Sequence, residues 1–147
     1  MNWNDYFLRM ADLVAEKSKD RSTKVGAVIV GPDHEVRSTG YNGFPRGVDD
    51  NVNERHERPA KYMWTEHAER NAIYNAARCG TSTHGATMHL NCWFPCADCA
   101  RAVIQAGIVR VVVHRSRANK HDSKWGESCA IGVAMLEEAG VERVEVD

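Results

Sequence analysis

His67-Ala68-Glu69 and Pro95-Cys96-Ala97-Asp98-Cys99, with 28 residues between His67 and Cys96, supply one imidazole, two thiols and an uncommitted carboxylate. That set suits a catalytic zinc centre. Structural zinc sites usually close the metal with four protein ligands, whereas catalytic sites use three and leave the fourth position to water. Two cysteines three residues apart lie about 60° apart around a helix axis and can grip one ion. His67 and Glu69 are about 200° apart on an ideal helix, so they do not both ligate as helical neighbours. At the first turn of a helix abutting the site, His67 can bind the metal while Glu69 reaches the metal-bound water. Zinc lowers the pKa of that water toward neutrality. Two thiolates leave the centre close to neutral, so Glu69 as a nearby base helps to form and steer the hydroxide.

Two blander readings compete. A Cys-x-x-Cys in an intracellular chain is often a redox pair or a structural zinc knuckle. The redox reading leaves His67 and Glu69 without a role. A structural zinc needs a fourth protein ligand, and Cys79 and Cys92, the residues to test for it, lack ligand spacing.

The chain has 147 residues, expected to form one domain over 1–147 with a core large enough to need no disulfide staples. A formal net charge of −1 argues against a nucleic-acid-binding surface, which needs a clear excess of Lys and Arg. No apolar run is long enough to span a membrane, and Met1-Asn2-Trp3-Asn4-Asp5 lacks a basic-then-apolar leader pattern. A reducing cytoplasm is the expected compartment. Cys79, Cys92 and Cys129 read as ordinary small hydrophobic residues.

The elements that must position the two motifs can be read from periodicity. Trp3, Phe7, Met10, Leu13 and Val14 recur at helical spacing, predicting an amphipathic helix over Trp3 to Lys19. Lys24 to Val30 reads as a strand, Gly31-Pro32-Asp33 as a turn, and Glu35 to Tyr41 as the hairpin partner. Asn42 to Met63 is polar and rich in Gly, Pro, Asp and Arg, and reads as a long substrate-covering or regulatory loop. Within it, the charge-dense stretch 51–61 suits a lid or subunit contact that helps neutralise a phosphate, or a solvated loop. A helix over Glu66 to Arg78, a strand over Met88 to Cys92 and a helix over Cys96 to Ala106 follow. The Val-rich run Arg110 to His114 is a buried parallel strand. A helix over Ala130 to Ala139 and a strand over Val141 to Val146 end the chain. Helices alternating with strands after an opening hairpin imply a three-layer α/β/α sandwich around a mixed five-stranded sheet. Both halves of the motif fall at helix N-termini, whose positive partial charge favours thiolate at Cys96 and Cys99.

His67-Ala68-Glu69 with Pro95-Cys96-Ala97-Asp98-Cys99 is the general signature of zinc-dependent nucleobase deaminases. More discriminating are Ser18-Lys19-Asp20 before Val25-Gly26-Ala27, and the run Gly40-Tyr41-Asn42-Gly43-Phe44-Pro45-Arg46-Gly47. Asn71-Ala72-Ile73 and Gln105-Ala106-Gly107-Ile108 add to the likeness. On these residues the chain, from about Lys17 to Gly140, resembles the cytidine/deoxycytidylate deaminase superfamily, and within it the deoxycytidylate deaminases. The resemblance implies a cytidine deaminase-like fold and hydrolysis of dCMP to dUMP and ammonia, feeding thymidylate synthesis. It implies one zinc ion held by His67, Cys96 and Cys99, with a bound water or hydroxide, and Glu69 as proton shuttle. It further implies that the Ala68 backbone N–H holds the pyrimidine carbonyl and that Asn42 meets the sugar. For the 5′-phosphate, Arg21 and Lys24 are the candidate cations, with His121 a weaker one. It also implies a homo-oligomer, between dimer and hexamer, and regulation by dCTP and by dTTP with Mg2+ near the Gly40–Gly47 run. Some members carry His-Cys shortly after that run as part of a second zinc site. Asp49-Asp50 stand in that neighbourhood here, so one zinc per chain is expected. Trp64, Trp93 and Trp125 flank the motif regions, and Trp93 is the one that could line the pocket. Deaminases of the free base, the nucleoside, the triphosphate, or tRNA and single-stranded nucleic acid share the zinc signature and remain open alternatives.

Overall fold

The structure, a computed structural model, describes residues 1–118 and 123–147. Its five strands are β1 (Gly26–Val30), β2 (Val36–Tyr41), β3 (Thr87–Leu90), β4 (Arg110–His114) and β5 (Glu142–Val146). They form one sheet in the order β2-β1-β3-β4-β5. β1 runs antiparallel to β2 and β3, while β3, β4 and β5 are mutually parallel. The α-helices among the described residues are α1 (Trp3–Ala15), α2 (Asn53–His56), α3 (Lys61–Trp64), α4 (Ala68–Cys79), α5 (Ala97–Gln105) and α6 (Ser123–Glu138). The mixed five-stranded α/β architecture matches the expectation from sequence.

Alternation along the strands assigns the two faces. Ala27, Ile29, Met88, Leu90, Val111 and Val113 point toward Ala68 and Ala72 of α4, Ala100 and Val103 of α5, and Leu136 of α6. On the other face, Val28 and Val30 pack on Phe7 and Ala11 of α1. α4, α5 and α6 therefore sit on one face and α1 on the other, and β1 is buried along its whole length. Gly40 in β2 lets α4 lie close to the sheet: a Cβ there would come within 2.3 Å of the Ala72 nitrogen.

The boundaries differ from the sequence reading where side-chain pattern carries little signal. The segment 42–63 contains α2 and starts α3, each a single turn whose residues are not buried, so no apolar periodicity marks them. The last long helix starts at Ser123, seven residues before the expected Ala130. Gly126 and Gly132 interrupt its pattern. Gly132 has a positive reason to be there. A Cβ at that position would stand 2.3 Å from the Pro95 carbonyl oxygen, so glycine lets α6 dock directly on the cysteine motif.

His89, on the α1-facing side of β3, has a measurable consequence for stability. It is 3% exposed and its ring lies 5.0 Å from that of Phe7. Its Nε2 is 3.1 Å from Asn4 Oδ1, and Nδ1 has no hydrogen-bond partner. Burial, with Arg110 and His34 adding positive charge, depresses its pKa to about 4. The unfolded chain binds a proton at His89 near pH 6.5, and the folded chain does so only near pH 4. Stability referable to this residue is thus complete above the unfolded value and declines as pH falls from about 6.5 to about 4. His89→Leu removes that dependence. Its stability relative to wild type, from urea unfolding, rises by about 2 kcal/mol between pH 7.5 and pH 5. A difference that stays constant across that range contradicts the assignment.

Candidate metal centre and pocket

Both chemical motifs open helices. His67 is the N-cap residue of α4 and Cys96 that of α5, each with extended backbone. An N-cap side chain ordinarily accepts a hydrogen bond from its own first turn, but neither residue does so. The imidazole and thiol turn toward each other instead, and Cys99 joins them from the first turn of α5. His67 Nδ1 is 3.6 Å from Cys96 Sγ and 3.3 Å from Cys99 Sγ. Zn–S bonds of about 2.3 Å and Zn–N bonds of about 2.0–2.1 Å in tetrahedral geometry require N···S edges of roughly 3.6 Å. The donor set and its spacing therefore fit a zinc ion. These are the residues that converge as a three-donor group among the described ones, all donor atoms lying within 4.8 Å of one another. Neither Cys79 nor Cys92 joins them. Cys79 is exposed at the end of α4, and Cys92 Sγ is directed at Glu69.

Glu69, 5% exposed, stands directly against this group. Its Oε2 accepts from Cys99 Sγ at 3.4 Å, and its Oε1 from Cys92 Sγ at 3.7 Å. The two motif thiols differ in acidity. A hydrogen bond from Cys99, and a second interaction with His67, bring the Cys96 thiol down to about 4 despite burial. Donation to Cys96 and burial push Cys99 up. Burial, with the Cys96 thiolate and Glu69 adding to it, raises Cys129 to about 11. Burial and Glu69 raise Cys92. Both remain neutral thiols in the wall.

A network joins the two helices behind the donors. Glu66 Oε1 accepts from the His67 backbone N–H at 3.1 Å and from Arg70 Nε at 2.6 Å. Arg70 Nη1 lies 3.9 Å from Asp98, which sits between the two cysteines. Ser128 of α6 accepts from the Ala97 backbone N–H at 3.0 Å.

The donors open into a cavity of about 260 Å³, near the lower end of the roughly 300–1,000 Å³ of small-molecule sites. His67, Ala68, Glu69 and Cys96 line it, as do Asn42 and Lys24. Asn42 also ties the wall together. Its Oδ1 accepts from Val25 N at 2.8 Å and its Nδ2 donates to Thr23 O at 2.9 Å. One amide hydrogen remains for a ligand. Ser18 Oγ, from the Ser18-Lys19-Asp20 run, donates to the Asn42 carbonyl at 2.7 Å. Asn91 Oδ1 accepts from Gly26 N at 2.8 Å, joining β1 to the turn after β3.

Not every expected residue is brought here. Arg21 is absent from the wall, and its Nη2 donates to Asn53 Oδ1 at 2.8 Å. His121 lies outside the described residues, as does the side chain of Trp125. Trp93 lines the cavity, whereas Trp64 lies under the Arg55 guanidinium at 4.0 Å. Arg58, Lys61, Tyr62 and Arg117 line the cavity without having been singled out individually. The charge density of 51–61 was the signal for the first two. Cys92 and Cys129, read as ordinary hydrophobic residues, are also wall residues. Nothing in their spacing marked them, since the turn after β3 and the body of α6 bring them in.

A family model for the cytidine and deoxycytidylate deaminase zinc-binding region matches residues 1–115. The chain is 41% identical over 140 residues to an uncharacterized deaminase from the luxG 3′ region of Aliivibrio fischeri, covering 95% of this chain and 90% of that protein. It is 38% identical over 128 residues to the deoxycytidylate deaminase of Homo sapiens, covering 84% and 69%. The apo dCMP deaminase of cyanophage S-TIM5 superposes with a TM-score of 0.74 at 25% identity, covering 97% and 96%.

Proposed function

The chain belongs to the cytidine and deoxycytidylate deaminase family, and from that premise we propose that it hydrolyses dCMP to dUMP and ammonia as one zinc-dependent domain over residues 1–147. The observation that carries the reading is one cavity lined by His67, Cys96, the Glu69 carboxylate and a basic wall, with Cys99 completing the donor group behind it. Similarity to the deoxycytidylate deaminase of Homo sapiens, 38% identical over 84% of this chain, supports the nucleotide monophosphate among cytosine compounds.

His67, Cys96 and Cys99 would hold a zinc ion, whose Lewis acidity would lower the pKa of water toward neutrality. The protein's own groups do the rest. Glu69 removes a proton from the attacking water and delivers it to the ring nitrogen, then takes the proton of the resulting C4 hydroxyl and passes it to the departing amine as the carbonyl forms and the C–N bond breaks. The Ala68 N–H, at the first turn of α4 on the cavity wall, has no intrahelical partner and donates to the pyrimidine carbonyl. Asn42 offers its remaining amide hydrogen to the sugar, and Lys24 offers charge to the phosphate. The neutral thiols of Cys92 and Cys129 keep the wall free of competing anions. Arg21, held by Asn53, contributes only long-range positive charge.

Five cysteines without a disulfide suit a reducing cytoplasm, and no helix among the described residues is long and apolar enough to cross a membrane. Exposed Tyr41, Trp64 and Tyr74 support a homo-oligomer, and dCTP and dTTP with Mg2+ are the effectors to add in assays.

The test is a panel of cytosine, deoxycytidine, dCMP and dCTP at equal concentration with zinc-loaded protein, read by ammonia release and ultraviolet change. The reading requires dCMP to have the highest kcat/KM. A higher value for any other member assigns the substrate elsewhere in the family.

A further inference from the structure

The cations on the cavity wall are not equivalent, and their pairing separates them. Lys61 Nζ lies 3.2 Å from Asp20 Oδ2, and both side chains are largely buried. Asp20 in turn accepts from the backbone N–H groups of Ser22 and Thr23 at 2.9 and 3.0 Å. Desolvation notwithstanding, those bonds and Lys61 hold the Asp20 carboxyl below the ordinary range. Lys61 is therefore a strut that fastens the segment bearing α3 onto the 20–24 turn. Arg117 Nη2 faces Asp12 at 3.4 Å. Arg58 differs from both. Its Nε donates to Tyr62 Oη at 2.8 Å and its Nη2 to Ser22 Oγ at 3.4 Å. Both acceptors are hydroxyls, and no carboxylate lies within ion-pair distance of Arg58 among the described residues.

We propose that Arg58 reads the phosphate of the substrate, gripping it with the guanidinium edge that Tyr62 orients toward the 20–24 turn. This assignment rests on the mononucleotide reading given above. An arginine whose charge is unpaired and whose plane is already fixed meets a phosphate with two parallel N–H···O bonds and little ordering cost. Lys24 adds a point charge beside it without that geometry. The Ser22 and Thr23 hydroxyls, on the same wall, complete a pocket for an anion. Discrimination between the monophosphate and the free nucleoside therefore resides chiefly in Arg58, on a segment that the Asp20–Lys61 pair positions.

The experiment compares kcat/KM for dCMP and for deoxycytidine in zinc-loaded wild type, Arg58→Ala and Arg58→Lys. Arg58→Ala is expected to lower the dCMP value by about 10- to 100-fold, mostly through KM, consistent with loss of charge-assisted hydrogen bonds. The deoxycytidine value and zinc content stay unchanged. Arg58→Lys regains part of the loss, because it restores charge without the fork. An Arg58→Ala protein that keeps the wild-type preference for dCMP overturns the assignment and leaves the proposed function intact. Equal losses on both substrates also overturn it, since they mark a structural role. A wild-type protein with no preference for dCMP defeats the mononucleotide reading itself, whatever the variants do.

Discussion

Replacing Glu69 with glutamine lowers dCMP turnover by about 10⁴-fold, the upper end of what one positioned acid–base group contributes, while zinc content remains one ion per chain. The side chain is buried among Cys92, Cys99 and the cavity, so an isosteric amide keeps the packing and removes only the proton-accepting function. None of the three metal donors is altered. Thermal stability should hold or increase, because a buried carboxylate beside thiolates is electrostatically unfavourable once its catalytic task is gone. Zinc analysis, melting temperature and single-turnover rate together check this. Turnover near the wild-type rate in a folded, zinc-loaded Glu69→Gln protein removes Glu69 from the chemistry.

Loss of the metal is the second large effect, and it reaches the fold as well as the reaction. The donors come from the starts of α4 and α5, so one ion cross-links two helices that also share the apolar core and the Glu66, Arg70 and Asp98 network. A ligand bound only by the folded state stabilises it by about 4 kcal/mol at a thousand times its Kd. For a chain of this length that corresponds to a melting shift of about 10 °C. Chelation is expected to lower the melting temperature by about that amount and abolish turnover, both restored by added zinc. Cys99→Ala shows the same two losses without restoration. An apo protein that melts with the holo protein contradicts the cross-link, and a Cys99→Ala protein that retains tight zinc contradicts the ligand set.

These effects trace to the parts of the sequence that were most legible. The spacing of His67, Glu69, Cys96 and Cys99 is short within each half, so local helix geometry determines which atoms can meet. The strands were legible for a similar reason: period-two and all-apolar runs report burial directly. Long-range pairing was not. Arg21 and Arg58 are both arginines in polar segments, and only the fold shows that one bonds Asn53 while the other faces the cavity. The Asp20–Lys61 pair spans 41 residues and leaves no local pattern. Cys129 belongs to a helix that starts before the expected Ala130, where Gly126 breaks the periodicity. Gly132 is at the same time what seats that helix against the Pro95 carbonyl. The departure from helical propensity thus marks the site rather than weakening it. In segment 42–63, α2 and α3 bury no side chains, so polarity alone suggested an unstructured loop.

The most direct measurement of the central claim is incubation of zinc-loaded protein with dCMP in ¹⁸O-labelled water, with the product identified by mass. Hydrolytic deamination predicts dUMP carrying one solvent oxygen on the pyrimidine ring and one equivalent of ammonia. A folded, zinc-loaded protein that yields no dUMP, or dUMP without the label, would contradict the account.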